Sequence, residues 1–142
     1  MKISDYKKLT KKPSKYNNTR VFYDSIWFDS EKECERYKEL KLLEKAGKIS
    51  NLAVHFPFLL IPGVYYNPRF GNYDFSNKKL SREWKCVQRP IVYIADFVYD
   101  TETERIVEDV KGCRNKRDAA YKKFLHKKRL MKIVWNVDVK EV

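Results

Sequence analysis

Two short runs constrain this chain more than any other part of it: Tyr93-Ile94-Ala95-Asp96-Phe97-Val98-Tyr99 and Ile106-Val107-Glu108-Asp109-Val110-Lys111-Gly112. Both are rich in β-branched and aromatic residues, and each carries acids inside an otherwise apolar pattern. The segment Asp100-Thr101-Glu102-Thr103-Glu104-Arg105 between them is polar and short, so the pair reads as an antiparallel hairpin. Residues i and i+2 of a strand point to one side, which puts Asp109 and Lys111 on a shared face and Glu108 and Val110 on the other. A suitable register brings Asp96 beside Asp109. Charges in such apolar surroundings are costly unless paired or bound to a metal.

With 142 residues the chain is long enough for one substantial core, and a content of 43% hydrophobic and 15% aromatic residues argues that it folds despite its charge. Lys and Arg number 31 against 19 acids, a net charge of +12, which suits a polyanionic partner, nucleic acid first and an anionic membrane surface second. That charge is uneven. Residues 1–20 hold seven basic groups and one acid, and residues 111–142 hold eleven and three. The stretch between holds thirteen basic and fifteen acidic groups, so the excess flanks the acidic pair. No apolar run approaches the roughly 20 residues of a membrane helix. Met1-Lys2-Ile3-Ser4-Asp5-Tyr6-Lys7-Lys8 lacks the apolar segment of a secretory signal. Cys34, Cys86 and Cys113 are odd in number and widely spaced, which fits a reducing compartment and gives no zinc pattern. A cytoplasmic location is expected.

Along the chain, residues 1–20 read as a flexible basic arm. Residues 21–28 read as a hairpin turning at Asp24-Ser25. Ser30 and Glu33 have capping-box spacing ahead of a helix over 31–46, with Cys34, Tyr37, Leu40, Leu43 and Ala46 repeating and Gly47 as its stop. Ile49 to Leu60 reads as a strand in which Pro57 marks an edge or a break. Residues 62–89 interleave Tyr65, Tyr66, Phe70, Tyr73, Phe75 and Trp84 with Arg69, Lys78, Lys79, Arg82, Lys85 and Arg89, and read as an inserted hairpin or extended loop. Residues 118–130 are helical in pattern, with Ala119, Ala120, Phe124, Leu125 and Met131 inward and Lys122, Lys123, Lys127, Lys128 and Arg129 outward. Ile133 to Val139 reads as a last strand. The expected whole is a single α/β domain over residues 1–142, with a mixed sheet flanked by helices.

Asp96, followed at thirteen residues by Asp109-Val110-Lys111, resembles the signature of the PD-(D/E)XK nuclease superfamily, with Ala95 where the name has proline. Phe28-Asp29-Ser30, Glu33, Arg36-Tyr37 and Leu40, together with Tyr93 to Phe97 and Val107 to Gly112, are similar to phage-encoded endonucleases of the Holliday-junction-resolvase type. The resemblance covers roughly residues 15–56 and 90–142. It implies a restriction-endonuclease-like core of order αβββαβ. It also implies Mg²⁺, for which Mn²⁺ substitutes, held by Asp96, Asp109, the Val110 carbonyl and Glu33. Lys111 would orient water or stabilise the transition state. Helical phase leaves Glu31, Glu33 and Glu35 open as the helix ligand. Arg114, Lys116, Arg117, Lys122, Lys123, Lys127 and Lys128 are the expected phosphate contacts. The function implied is hydrolysis of phosphodiesters in branched DNA during recombination, by a homodimer because two symmetrical cuts need two sites. A phage origin would place it in the bacterial cytoplasm. The alternatives are a restriction-like or transposition-linked nuclease on linear duplex, a non-catalytic DNA-binding module, and RNA as the substrate.

Overall fold

The computed structural model describes residues 19–75, 83–112 and 114–142. Most of the expected basic arm, residues 1–18, lies outside them, as do Lys78, Lys79 and Arg82 of the insert and Cys113. The chain divides into two compact units, with the boundary between Glu39 and Leu40.

In the first unit, β1 (Val21–Tyr23) and β2 (Ile26–Phe28) form an antiparallel hairpin. Its two turn residues, Asp24 and Ser25, both have positive φ (52° and 63°), as the tight primed turns of two-residue hairpins require. Helix α1 (Glu31–Lys45) follows, its residues from Leu40 onward belonging to the second unit. Tyr37 of this helix donates to Asp24 Oδ2 at 2.6 Å and lies against Phe28 at 5.1 Å between ring centres. Gly47, at φ +69°, ends the helix in the left-handed conformation expected of it.

The second unit is built on a four-stranded sheet of order β3-β7-β8-β9, from β3 (Ser50–Ile61), β7 (Ile91–Asp100), β8 (Arg105–Asp109) and β9 (Val139–Glu141). The first three strands are antiparallel neighbours, while β9 returns parallel to β8 after helix α2 (Ala119–Trp135). Parallel neighbours need such a crossover, and α2 supplies it. Strand β3 is an edge of this sheet, which is where its Pro57 is tolerated. Phe124 and Met131 of α2 join Phe58, Leu60, Tyr93, Ala95, Val98, Val107 and Val139 in one core cluster. The fold is thus mixed α/β with a mostly antiparallel, mixed sheet.

Three expectations are corrected. Residues 133–135 are not strand: α2 runs on to Trp135, whose indole Nε1 donates to Leu59 O at 2.9 Å, and Asn136 caps it at φ 52°. Ile133, 78% exposed, carries the β-branched character that suggested a strand, while β9 is only Val139–Glu141. Ala119 and Ala120 are exposed rather than inward, because they form the first turn just after the N-cap Asp118. The insert is neither a single hairpin nor a loop but a small antiparallel sheet of order β5-β4-β6, from β4 (Val64–Asn67), β5 (Asn72–Asp74) and β6 (Lys85–Gln88). At its root a side chain on Gly63 would come within 2.9 Å of the Tyr65 ring and 3.1 Å of Pro90, so a larger residue there has to displace the end of the Tyr65 side chain.

Candidate active site

The β7–β8 register pairs Phe97 with Glu108 and Val98 with Val107. Continued one step beyond its last pair, that register carries Asp96 toward Asp109. Asp96 Oδ2 accepts the Val110 N–H at 2.7 Å, which ties the first acid to the strand end that carries the second. The backbone beyond Asp109 is clamped by β9: Val142 N donates to Asp109 O and Lys111 N to Val142 O, each at 3.0 Å.

Asp109 is buried, at 4% exposure. Its Oδ2 accepts the Tyr93 hydroxyl at 2.7 Å. Its Oδ1 forms an ion pair with Lys111 Nζ, but no donor is aligned to hydrogen-bond it, alone among the buried side-chain polar atoms of the described residues. The Lys111 ammonium also sits 4.0 Å from the centre of the Phe124 ring, whose electron-rich face holds the cation in place. Burial, together with the nearby negative charge of Asp109, Asp96 and Glu141, pushes the Tyr93 phenol above its usual range, so it remains a donor. A pocket of about 330 Å³ opens over these groups, lined by Tyr93, Asp109, Lys111, Lys123, Phe124 and Lys127 among others.

Tyr93 reaches Asp109 because strand alternation breaks beside Asp96. Tyr93, Ala95 and Val98 all enter the same core, which a strict period of two forbids. On the facing strand, His55 lies between the pairs Val54–Phe97 and Phe56–Ala95 and has φ 52°. Glu108 points to the other side of the sheet, as expected, where it is 1% exposed and accepts the Tyr99 hydroxyl at 2.6 Å.

Sequence comparison adds a family to this geometry. Residues 13–141 match the family model described as Protein of unknown function (DUF1064). The chain belongs to the DUF1064 family. Comparison with curated proteins and with solved structures returns no match.

Other expected residues of this DUF1064 chain are placed as follows. Glu33 lies in the first unit and is buried, whereas Glu31 and Glu35 are exposed. Its N–H donates to Ser30 Oγ at 3.2 Å, and its Oε2 accepts the Asp29 N–H at 2.9 Å, one residue further back than a regular capping box. Lys116, Arg117, Lys122 and Lys123 are exposed. Lys127 and Lys128 do not face out: Lys127 Nζ donates to Val92 O at 2.8 Å, and Lys128 pairs with Glu141 Oε1 at 2.7 Å. The Glu141 carboxylate also receives the Tyr121 hydroxyl at 2.9 Å and lies 3.8 Å from Arg114. Burial opposes its ionisation, but Lys128 and Tyr121 outweigh that and hold its pKa below the ordinary value. Tyr93 and Phe124 were missed as site residues, and no spacing rule finds either.

Among the described residues no three His, Cys, Asp or Glu side chains are gathered as a ready-formed metal cage. Mg²⁺ needs no such cage, since it binds through one or two carboxylates and keeps several waters. Asp109, whose Oδ1 has Lys111 as an ion-pair partner but no aligned hydrogen-bond donor and which lines the pocket, fits that requirement as one such carboxylate.

Proposed function

We propose that this chain is a metal-dependent DNA endonuclease with a restriction-endonuclease-like core, acting on branched DNA. The observation that carries the proposal is the buried Asp109 carboxylate, with Oδ1 short of a hydrogen bond, paired to Lys111 in an open pocket beside Asp96. The order α1-β3-β7-β8-α2-β9 supports the core assignment, and the resemblance of Asp96 and Asp109-Val110-Lys111 to nuclease motifs supports the chemistry.

Asp96 and Asp109 are the carboxylates that would hold Mg²⁺, with the Val110 carbonyl as a further oxygen donor. When bound, the ion would acidify a coordinated water and offset charge on the phosphate. Lys111 places an ammonium at the mouth of the same pocket, where it orients the attacking water and stabilises the charge that grows on the phosphoryl oxygens. Tyr93 fixes the carboxylate plane of Asp109 by occupying Oδ2. Exposed Lys123, with Lys116, Arg117 and Lys122 on and before α2, supplies sequence-independent phosphate contacts.

The test incubates the protein with Mg²⁺ or Mn²⁺ and a four-way junction, a flap, the linear duplex arms or a single strand. Cleavage of the junction in preference to its linear arms is expected. Asp109→Asn abolishes cutting, retains DNA binding and loses Mn²⁺ binding measured by calorimetry. No cleavage of any substrate, or full activity in Asp109→Asn, refutes the proposal. Equal cutting of linear duplex would instead favour a restriction-like enzyme.

A further inference from the structure

The small sheet β5-β4-β6 carries an ordered row of side chains. Its register sets Tyr73 opposite Tyr66 and Tyr66 opposite Lys85, so the three stand side by side on one face. Tyr65, Asp74 and Cys86 share the other. The Tyr66 and Tyr73 rings are 5.0 Å apart and inclined at 42°, and Tyr73 is 59% exposed. In the turn between β4 and β5, Phe70 is 66% exposed and lies 5.4 Å from the Arg69 guanidinium. Aromatic surface left open to water in this pattern, with Lys85 at one end of the row and Arg69, 3.8 Å from Glu83, in the adjoining turn, is not the inward half of a core.

We infer that this row is a stacking platform for unpaired nucleotides, with Tyr73 and Tyr66 receiving base faces and Lys85 and Arg69 the phosphates beside them. Every base has a π-face, so such a platform binds single strands without reading sequence. The charge decides the occupant: a second copy of a chain at +12 is repelled from a cationic rim, whereas a polyanion is drawn to it. The platform's root also lies at the pocket end of the main sheet. Ile61 pairs with Ile91 where the insert leaves and rejoins, and the next residues of β7, Val92 to Ile94, line the candidate active-site pocket. From Ile91 to Asp96 the strand spans about 16 Å. The inference rests on the nuclease reading for the nature of the polyanion, and it assigns the unpaired strand near a branch to the insert.

The experiment uses the full chain without divalent cation and a deoxyoligonucleotide carrying 2-aminopurine, whose fluorescence is quenched by stacking. Quenching is expected with the wild type and with Tyr73→Phe. Tyr73→Ala, exposed enough to leave the melting temperature unchanged, is expected to weaken single-strand binding by about 5- to 150-fold while leaving duplex binding unaltered. Lys85→Ala should lower the slope of log affinity against log salt by about 0.7. Unchanged affinity in Tyr73→Ala, or equal loss in Tyr73→Phe, overturns the inference. Nothing is cleaved in this assay, so a chain without nuclease activity can still stack bases, and an active nuclease can still fail to.

Discussion

Replacing Tyr93 with Phe removes one oxygen and little else. The side chain is 3% exposed, Phe fills the same volume, and the rest of the ring's packing against Phe58 and Phe124 remains. The lost interaction is a 2.7 Å bond to a buried carboxylate whose other oxygen already lacks a hydrogen bond. Hydrogen bonds to charged groups contribute ~1.5–3 kcal/mol, and no new hydration compensates at this depth. Tyr93→Phe is therefore expected to destabilise the protein by that amount at pH 7, lowering the melting temperature by about 5–12 °C. Urea unfolding followed by tryptophan fluorescence and circular dichroism measures it. The direction of the phenol's shift adds a second readout. Its folded pKa is raised above the unfolded value of about 10, so the stability it contributes is complete below about pH 10 and is lost as pH rises beyond. The gap between wild type and Tyr93→Phe should narrow above pH 10. A loss under about 0.5 kcal/mol at pH 7, where ~1.5–3 is expected for a bond to a charged group, would refute the reasoning, as would a gap that stays constant through alkaline pH.

Met131→Ala empties a fully buried position where α2 meets the sheet and is expected to cost about 2–5 kcal/mol, read from the urea midpoint; a loss below about 1 kcal/mol would mean that α2 packs loosely. Asp100 is held down to about 2 by Arg105, at 2.7 and 3.2 Å, and by Asn51 at 2.9 Å. Its contribution is present above the ordinary carboxylate range and lost as pH falls through about 2, so Asp100→Asn should flatten the acid limb of stability between about pH 4 and 2. An unchanged limb would show that the cluster at the β7–β8 turn does not couple folding to protons.

What was legible in the sequence depended on local chemistry. The Asp24-Ser25 turn, the Ser30 cap and the Gly47 stop are short-range signals, and each appears where its residues stand. Asp96 and Asp109 were legible because acids inside apolar strand runs are rare enough to stand out. The stretch 133–135 was not. Ile133, Val134 and Trp135 favour a strand by propensity, but α2 continues through them because Met131 is buried and Trp135 is tied to Leu59. Tyr93 stands three residues before Asp96, a spacing that puts it on the opposite face of any regular strand. Its hydroxyl nevertheless reaches Asp109, on a strand whose neighbour carries His55 at φ 52°. Lys127 and Lys128 looked like solvent-facing charge, yet each has a partner on the sheet, Val92 O and Glu141, that is remote in sequence.

The parallel pairing of β8 with β9 has a consequence for the order of assembly. Glu108 meets Lys140 only after α2 has been laid across the sheet, and closing that loop costs more entropy than closing the short β7–β8 turn. The backbone that presents Asp109 and Lys111 is gripped by Val142, so those two groups gain their anchors late, after the antiparallel hairpin that carries them has formed. An incompletely folded molecule then has the acids and the lysine but not the frame that aims them. The frame around Asp109 and Lys111 is therefore complete only when the last strand has docked beside β8.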